Sequence, residues 1–227
     1  TSQIGFSGPV GCVAVAMSQV MHYWKSPFTG EGSNGYNEGE WGYIEVDFSD
    51  AYYDFNNMPN TQASSAAQLL LFHTGVSVNM DYDNSGSGAW VMGGYPSSEY
   101  SMENYFKYSS DISNMYVTSG NSSNVLDVIK DQLENNKPII MVGYGSGYGG
   151  GHAWNVDGYQ GNNLHCNWGW GGYSNGYFNL TTMGGFPDDQ KILINIIPRD
   201  IEDPMALYEY IVDASTVTFI DLSEEIN

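Results

Sequence analysis

Two cysteines and four histidines carry most of the nucleophilic and acid–base chemistry open to this 227-residue chain. Cys12 follows Gly8-Pro9-Val10-Gly11, which breaks regular structure, and precedes Val13, Met17, Val20, Met21 and Trp24 at three- and four-residue steps. The spacing predicts an amphipathic helix that begins at or beside Cys12. Unpaired backbone N–H groups and the positive end of the helix dipole gather at such a start, and both favour thiolate over thiol. A nucleophilic sulfur fits there, and so does a small buried apolar side chain.

Acyl transfer by a thiolate needs a base within hydrogen-bond reach, a group that orients the base, and donors for the tetrahedral oxyanion. His22 and His73 fall inside helical patterns, and His165 alternates within a strand. His152 differs, because it follows Gly149-Gly150-Gly151 and opens a strand where its ring can face a cleft. One hairpin return beyond it lies Asn167-Trp168-Gly169-Trp170-Gly171-Gly172. An Asn or an indole beside the imidazole would fix its orientation, while an apolar ring shields it from water. Either Trp alone would read as packing of a glycine-rich turn.

The elements that must position these groups change character along the chain. After the first helix, closed by Pro27, residues 28–60 form a long surface excursion with one short strand through Trp41, Tyr43, Ile44, Val46 and Phe48. A second helix is expected from Thr61 with Gly75 as its stop and an extended stretch over 76–80; residues 83–94 read as a Gly/Ser/Asp loop around Trp90. Helices over about 98–108 and 123–135 follow. The period then becomes two. Strands are expected over 139–142, 152–159, 164–168, 176–180 and 191–197, with Gly161-Asn162-Asn163 as a hairpin turn. Helices first and antiparallel strands afterwards make an α+β fold.

The formal net charge is -20, from 26 acidic residues against 6 Lys and Arg. Such a surface repels phosphate backbones, which excludes nucleic acid and anionic lipid as natural partners. No apolar run reaches the length of a membrane span and no signal segment opens the chain. Two cysteines cannot staple a disulfide framework, so in an extracellular setting either Cys12 and Cys166 pair or a thiol is kept free.

The separation of 140 residues between Cys12 and His152 falls inside the interval found between nucleophile and base in papain-like proteases. Gly-Cys-Val-Ala at 11–14, Gly-Gly-His-Ala at 150–153, Asp157-Gly158-Tyr159, and Asn167 to Gly172 followed by Ser174-Asn175-Gly176-Tyr177 resemble the streptopain family of secreted bacterial cysteine proteases, in order over about residues 8–197. The resemblance implies a papain-like fold, Cys12 as nucleophile, His152 as base and acid, and Asn167 and Trp168 beside the histidine. It also implies that Ser87 and Gly151 hold the peptide backbone of the substrate, with Trp170 bordering the same cleft, and that a bulky apolar side chain is preferred two positions before the cut. The family's Gln-containing stretch upstream of the nucleophile has no counterpart in the eleven residues before Cys12, so an oxyanion donor is expected elsewhere or is missing. The family's inhibitory pro-segment is likewise expected to be absent from this chain.

The reading that follows is a secreted cysteine endopeptidase, made as a zymogen, with residues 1–198 as the protease domain and 199–227 as an acidic tail or the start of a further module. Its partners are polypeptide substrates, and it needs no cofactor and no metal. Its rivals are a cell-wall peptide amidase using the same dyad, a silent papain-fold binding module, and a lectin-like surface protein stapled by a Cys12–Cys166 disulfide.

Overall fold

The structure, a computed structural model, describes residues 8–60, 62–146 and 150–201. Helix α1 spans Cys12–Trp24. It is buried on nearly every side, with all residues from Val13 to Met21 inside, so the expected amphipathic surface helix is instead a central one. It meets the sheet through the Ala16 carbonyl and Gln19, both bonded to Asn155, while Ser18 bonds to Thr74. The helix ends where Lys25 turns left-handed and donates to the His22 carbonyl. Trp24 Nε1 fastens that end to the Ile196 carbonyl at 2.8 Å.

The surface excursion holds a hairpin, β1 (Ser33–Glu38) and β2 (Gly42–Asp47), in which Tyr36 pairs with Ile44. Only β2 is visible in the sequence, since β1 reads Ser-Asn-Gly-Tyr-Asn-Glu and owes its conformation to its partner. Helix α2 (Ser65–Ser77) is capped by the Ser64 hydroxyl and runs straight through Gly75. The glycine is there for a close approach: a Cβ at residue 75 would lie 2.4 Å from the Tyr82 hydroxyl. Val76 and Ser77 are therefore helical rather than extended. Helix α3 (Ser98–Asn104) is shorter than its pattern suggests.

Helix α4 (Ser122–Glu134) lays Val125 and Ile129 on the sheet. The strands are β3 (Ser113–Tyr116), β4 (Ile139–Tyr144), β5 (Gly151–Gln160), β6 (Asn163–Asn167), β7 (Gly176–Asn179) and β8 (Asp188–Ile194). They form one antiparallel sheet in the order β3-β8-β4-β5-β6-β7. The edge strand β3 has no sequence signal of its own.

Two cores result. One gathers α1, α2, α3 and the hairpin around Met17, Val20, Phe48, Leu70 and Phe106, and reaches the sheet at Ala153. The other lies on the opposite face, with Val125, Ile129, Met141, Trp154, Val156, Leu164 and Trp168. Alternation along β5 explains the division: His152, Trp154 and Val156 share one face, while Ala153 and Asn155 turn toward α1. Residues 198–201 pack back on the body, with Arg199 N–H donating to Lys107 O and its Nε to Tyr108 O. The rest of the tail expected over 199–227 lies outside the described residues. Among the described residues, no helix is long and apolar enough to cross a membrane.

Candidate active site

A groove of about 830 Å³ opens where the start of α1 meets the start of β5. Gly11, Cys12 and Val15 form one wall, Ser85 to Gly88 a second, and Gly150, Gly151, His152, Gly169 and Trp170 the third. Five of the seven residues singled out from the sequence, Cys12, His152, Ser87, Gly151 and Trp170, line it, while Asn167 and Trp168 do not. Among the described residues Cys12 and His152 are its only titratable side chains, so the acidic character of the chain stops at the groove.

Gly11 delivers the sulfur. It has φ of 94°, and a Cβ there would lie 2.6 Å from Met80 Sδ, so only glycine lets the chain turn into α1 at this point. The first bond within the helix runs from Val15 N–H to the Gly11 carbonyl at 3.1 Å, which leaves the earlier amides free of that ladder. Those of Cys12 and Val13 reach the sulfur, as does that of Ala153 from β5. Burial is the larger influence, however, and pushes the Cys12 thiol above its ordinary value while these amides pull it down. The helix start thus moderates the thiol instead of setting its charge, because the site is more enclosed than a sequence reveals.

His152 is nearly enclosed, at 8 % exposure. Its Nε2 lies 2.8 Å from the Trp168 carbonyl oxygen. A carbonyl only accepts, so Nε2 carries the proton and Nδ1 of the neutral ring is left as an acceptor. Trp170 lies at 4.7 Å from the imidazole centroid and Phe186 at 5.2 Å, with Trp168 and Trp154 behind. Burial among these rings lowers the His152 pKa, and the Trp168 carbonyl raises it in part.

The turn after β6 builds this cage. Trp168 N–H donates to Asn175 Oδ1 and its indole Nε1 to the Ser174 carbonyl, both at 3.0 Å. Asn167 is buried, and its Oδ1 accepts from Gly169 N–H at 3.1 Å and from Gln19 Nε2 at 3.5 Å. The anchoring group that sequence reasoning misses is the Trp168 carbonyl, a main-chain atom with no residue signature. Phe186 is missed as well, since nothing in Gly184-Gly185-Phe186-Pro187 marks a ring beside the histidine.

On the second wall, Asp81 and Gly88 exchange two backbone hydrogen bonds of 2.9 and 3.0 Å and close the loop between them. Ser87 Oγ donates to the Pro9 carbonyl at 2.6 Å and accepts from Asp83 N–H at 3.2 Å. Its hydroxyl is therefore engaged within the protein and clamps the segment leading to Cys12. Gly151 pairs with Tyr144 across β4 and β5, and a Cβ there would press on the Tyr144 ring at 2.8 Å. Trp170 keeps 40 % of its surface exposed at the mouth. Cys12 and Cys166 are both free thiols, which removes the disulfide reading. Cys166 sits in the core against Met183, where burial pushes its thiol up. No group of three or more metal-ligating side chains occurs among the described residues.

The model of the peptidase C10 family matches residues 3–178. The chain belongs to that family. It is 28 % identical over 216 residues to the thiol protease/hemagglutinin PrtT of Porphyromonas gingivalis, covering 86 % of this chain and 24 % of that protein. Against streptopain of Streptococcus pyogenes it is 28 % identical over 224 residues, covering 87 % of this chain and 54 % of streptopain. It thus spans 54 % of the length of streptopain and 24 % of PrtT. Active interpain A cysteine protease of Prevotella intermedia superposes with a TM-score of 0.72 at 29 % identity over 83 % of each chain. A prointerpain A fragment gives 0.69 at 28 % identity, over 83 % of this chain and 63 % of the fragment. The α+β, papain-like architecture expected from the sequence is the fold shared with these interpain A structures.

Proposed function

We propose that this chain is a secreted cysteine endopeptidase that cuts polypeptides through Cys12 and His152. One observation carries the reading: a groove whose only titratable side chains among the described residues are Cys12 and His152, in which a free thiol at a helix start meets a histidine held by Nε2 with Nδ1 left to accept. Burial displaces the thiol upward and the imidazole downward, and each displacement favours the neutral pair. The mutual attraction of thiolate and imidazolium opposes both. At an effective dielectric constant of about 20 it amounts to about 4 kcal/mol at about 4 Å and half that at twice the distance, so the separation of the two groups decides whether the ion pair forms.

In the proposed reaction the Cys12 proton passes to His152 Nδ1 as Sγ bonds to the peptide carbonyl carbon. The negative charge on the former carbonyl oxygen is met by the Cys12 N–H at the helix start. The C–N bond then breaks as Nδ1 returns its proton to the departing amine. Water gives a proton to Nδ1 while its oxygen attacks the thioester, and the sulfur leaves and is reprotonated. Trp168 holds Nε2 through its carbonyl and, with Trp170 and Phe186, keeps water off the imidazole. Asn167 supports that turn. Gly151 and the main chain at Ser87 offer edges along which an extended peptide can lie, with Trp170 at the mouth.

The interpain A likeness supports peptidase activity, and the proform in the second structure's name supports a zymogen whose pro-segment is not among residues 1–227. Residues 1–198 serve as the catalytic domain in this reading, and 199–227 as an acidic tail or the start of a further module. The decisive test is Cys12→Ala assayed on casein. A fall on the order of 10⁵-fold or more is expected, and undiminished cleavage would remove Cys12 from the mechanism. Release of peptides from peptidoglycan with casein untouched would favour the amidase instead. Cys12 reacting with a thiol-directed epoxide no faster than free cysteine would favour the silent binding module.

A further inference from the structure

We infer that Gln19, Asn155 and Asn167 form a buried polar tie that sets the separation between Cys12 and His152, with Gln19 as its positioning residue on the nucleophile's helix. The inference rests on the reading of those two residues as a working pair. All three amides are at most 1 % exposed. Asn155 Nδ2 donates to Gln19 Oε1 at 2.6 Å and to the Ala16 carbonyl at 3.2 Å. Gln19 Nε2 in turn donates to Asn167 Oδ1 at 3.5 Å, and the same oxygen accepts from Gly169 N–H at 3.1 Å.

The placement of these residues gives the tie its leverage. Gln19 follows Cys12 by about two helical turns and so lies on the same stripe of α1. Asn155 lies three positions beyond His152 on β5, and it pairs in register with Asn167 on β6. Asn167 immediately precedes Trp168, whose carbonyl holds the imidazole. A single chain of amides therefore runs from the helix that carries the sulfur to both segments that fix the ring.

The core that α1 and Ala153 of β5 share is otherwise apolar, and apolar surfaces can slide by fractions of an ångström at small cost. Amides paired in a dry interface tolerate one register only. Asn155 Oδ1 has no hydrogen-bond partner, so this cluster is not optimised for stability. An apolar trio of similar volume would pack without that cost, which points to geometry as what the amides supply.

The test uses the full chain and two variants, Gln19→Met, which keeps volume and loses both bonds, and Asn155→Ser, a milder cut in the same tie. The pH dependence of Cys12 alkylation by iodoacetamide is followed by peptide mass spectrometry, alongside kcat, KM and melting temperature. The wild-type chain is expected to react quickly at about pH 5. Both variants are expected to lose about tenfold in that acid limb and in kcat, while reaction at about pH 9 and KM stay within about twofold. Folded variants that melt earlier yet keep the acid limb and kcat would overturn the tie and leave a purely structural cluster. If Gln19→Met fails to fold, the same readings on Asn155→Ser decide the matter. A wild-type chain that reacts like an ordinary thiol would overturn the pair itself, a failure distinct from that of the tie.

Discussion

On the helical side of the groove, Cys12 is fixed by polar threads: the Gly11 turn, the Ser87 hydroxyl on the Pro9 carbonyl, and the doubly bonded closure of Asp81 on Gly88. On the sheet side, His152 is fixed by one hydrogen bond to Trp168 and by a cage of four aromatic rings. The difference follows from what each group must do. A sulfur approached by substrate needs an open face and directional donors, whereas a base that shuttles protons needs a fixed ring with little water around it. Hydrogen bonds supply the first and aromatic packing the second.

If the two sides divide the work in this way, the base should matter most on the sheet side. His152→Gln leaves the cage in place and removes the proton shuttle, so kcat/KM should fall on the order of 10⁴-fold with the fold intact. Steady-state kinetics beside a circular dichroism melt checks this, and a small kinetic loss would break the assignment.

Next comes the cage. Trp168→Ala removes a ring that is 2 % exposed and packs on Trp154, Phe178 and Phe186, at a cost of about 3 to 5 kcal/mol in urea unfolding. Activity should fall as well, because Asn175 and Ser174 position the carbonyl partly through that residue's N–H and indole. Stability close to wild type would show that rings do not hold this wall.

The two sides should also respond oppositely to acid. His73, in the helical core with its Nδ1 at 3.0 Å from the Tyr53 hydroxyl, is pushed down to about 4 by burial, from an ordinary 6.5. Below the ordinary value the unfolded chain binds a proton that the folded chain refuses. The contribution is complete above about 6.5, is lost as pH falls toward about 4, and spans roughly 3 kcal/mol. On the sheet side, the Asp157 carboxylate raises His165, so while that carboxylate, itself raised by burial, stays ionised the histidine contributes fully below its ordinary value and loses its contribution as pH rises through the raised one. Urea unfolding at about pH 7 and pH 4.5 should show a smaller acid loss in His73→Phe and a larger one in His165→Gln than in the wild-type chain. Equal slopes in all three would remove the contrast.

The smallest effect concerns the clamp. Ser87→Ala leaves the Pro9 carbonyl and the Asp83 N–H without that partner and should cost about 1 to 2 kcal/mol. Because the hydroxyl faces inward, kcat should fall through displacement of Cys12 while KM changes little. A large rise in KM with kcat preserved would instead make Ser87 a direct contact for substrate.

The sequence by itself determined that Cys12 opens a helix, that His152 opens a strand, and that a glycine- and tryptophan-rich turn follows one hairpin later. Those features depend on short-range periodicity and on backbone-breaking residues, both written locally. It did not reveal β1 or β3, whose Ser, Asn and Gly content carries no alternating pattern and whose conformation comes from partners distant in the chain. It misread Gly75 as a stop, because the reason for that glycine is a Tyr82 hydroxyl brought in from beyond the helix. Only the tertiary structure decided that a main-chain carbonyl anchors the histidine and that burial outweighs the helix start at the thiol. Residue types and spacings specify which groups are available; desolvation and orientation arise only when segments 140 residues apart close on one another and exclude water.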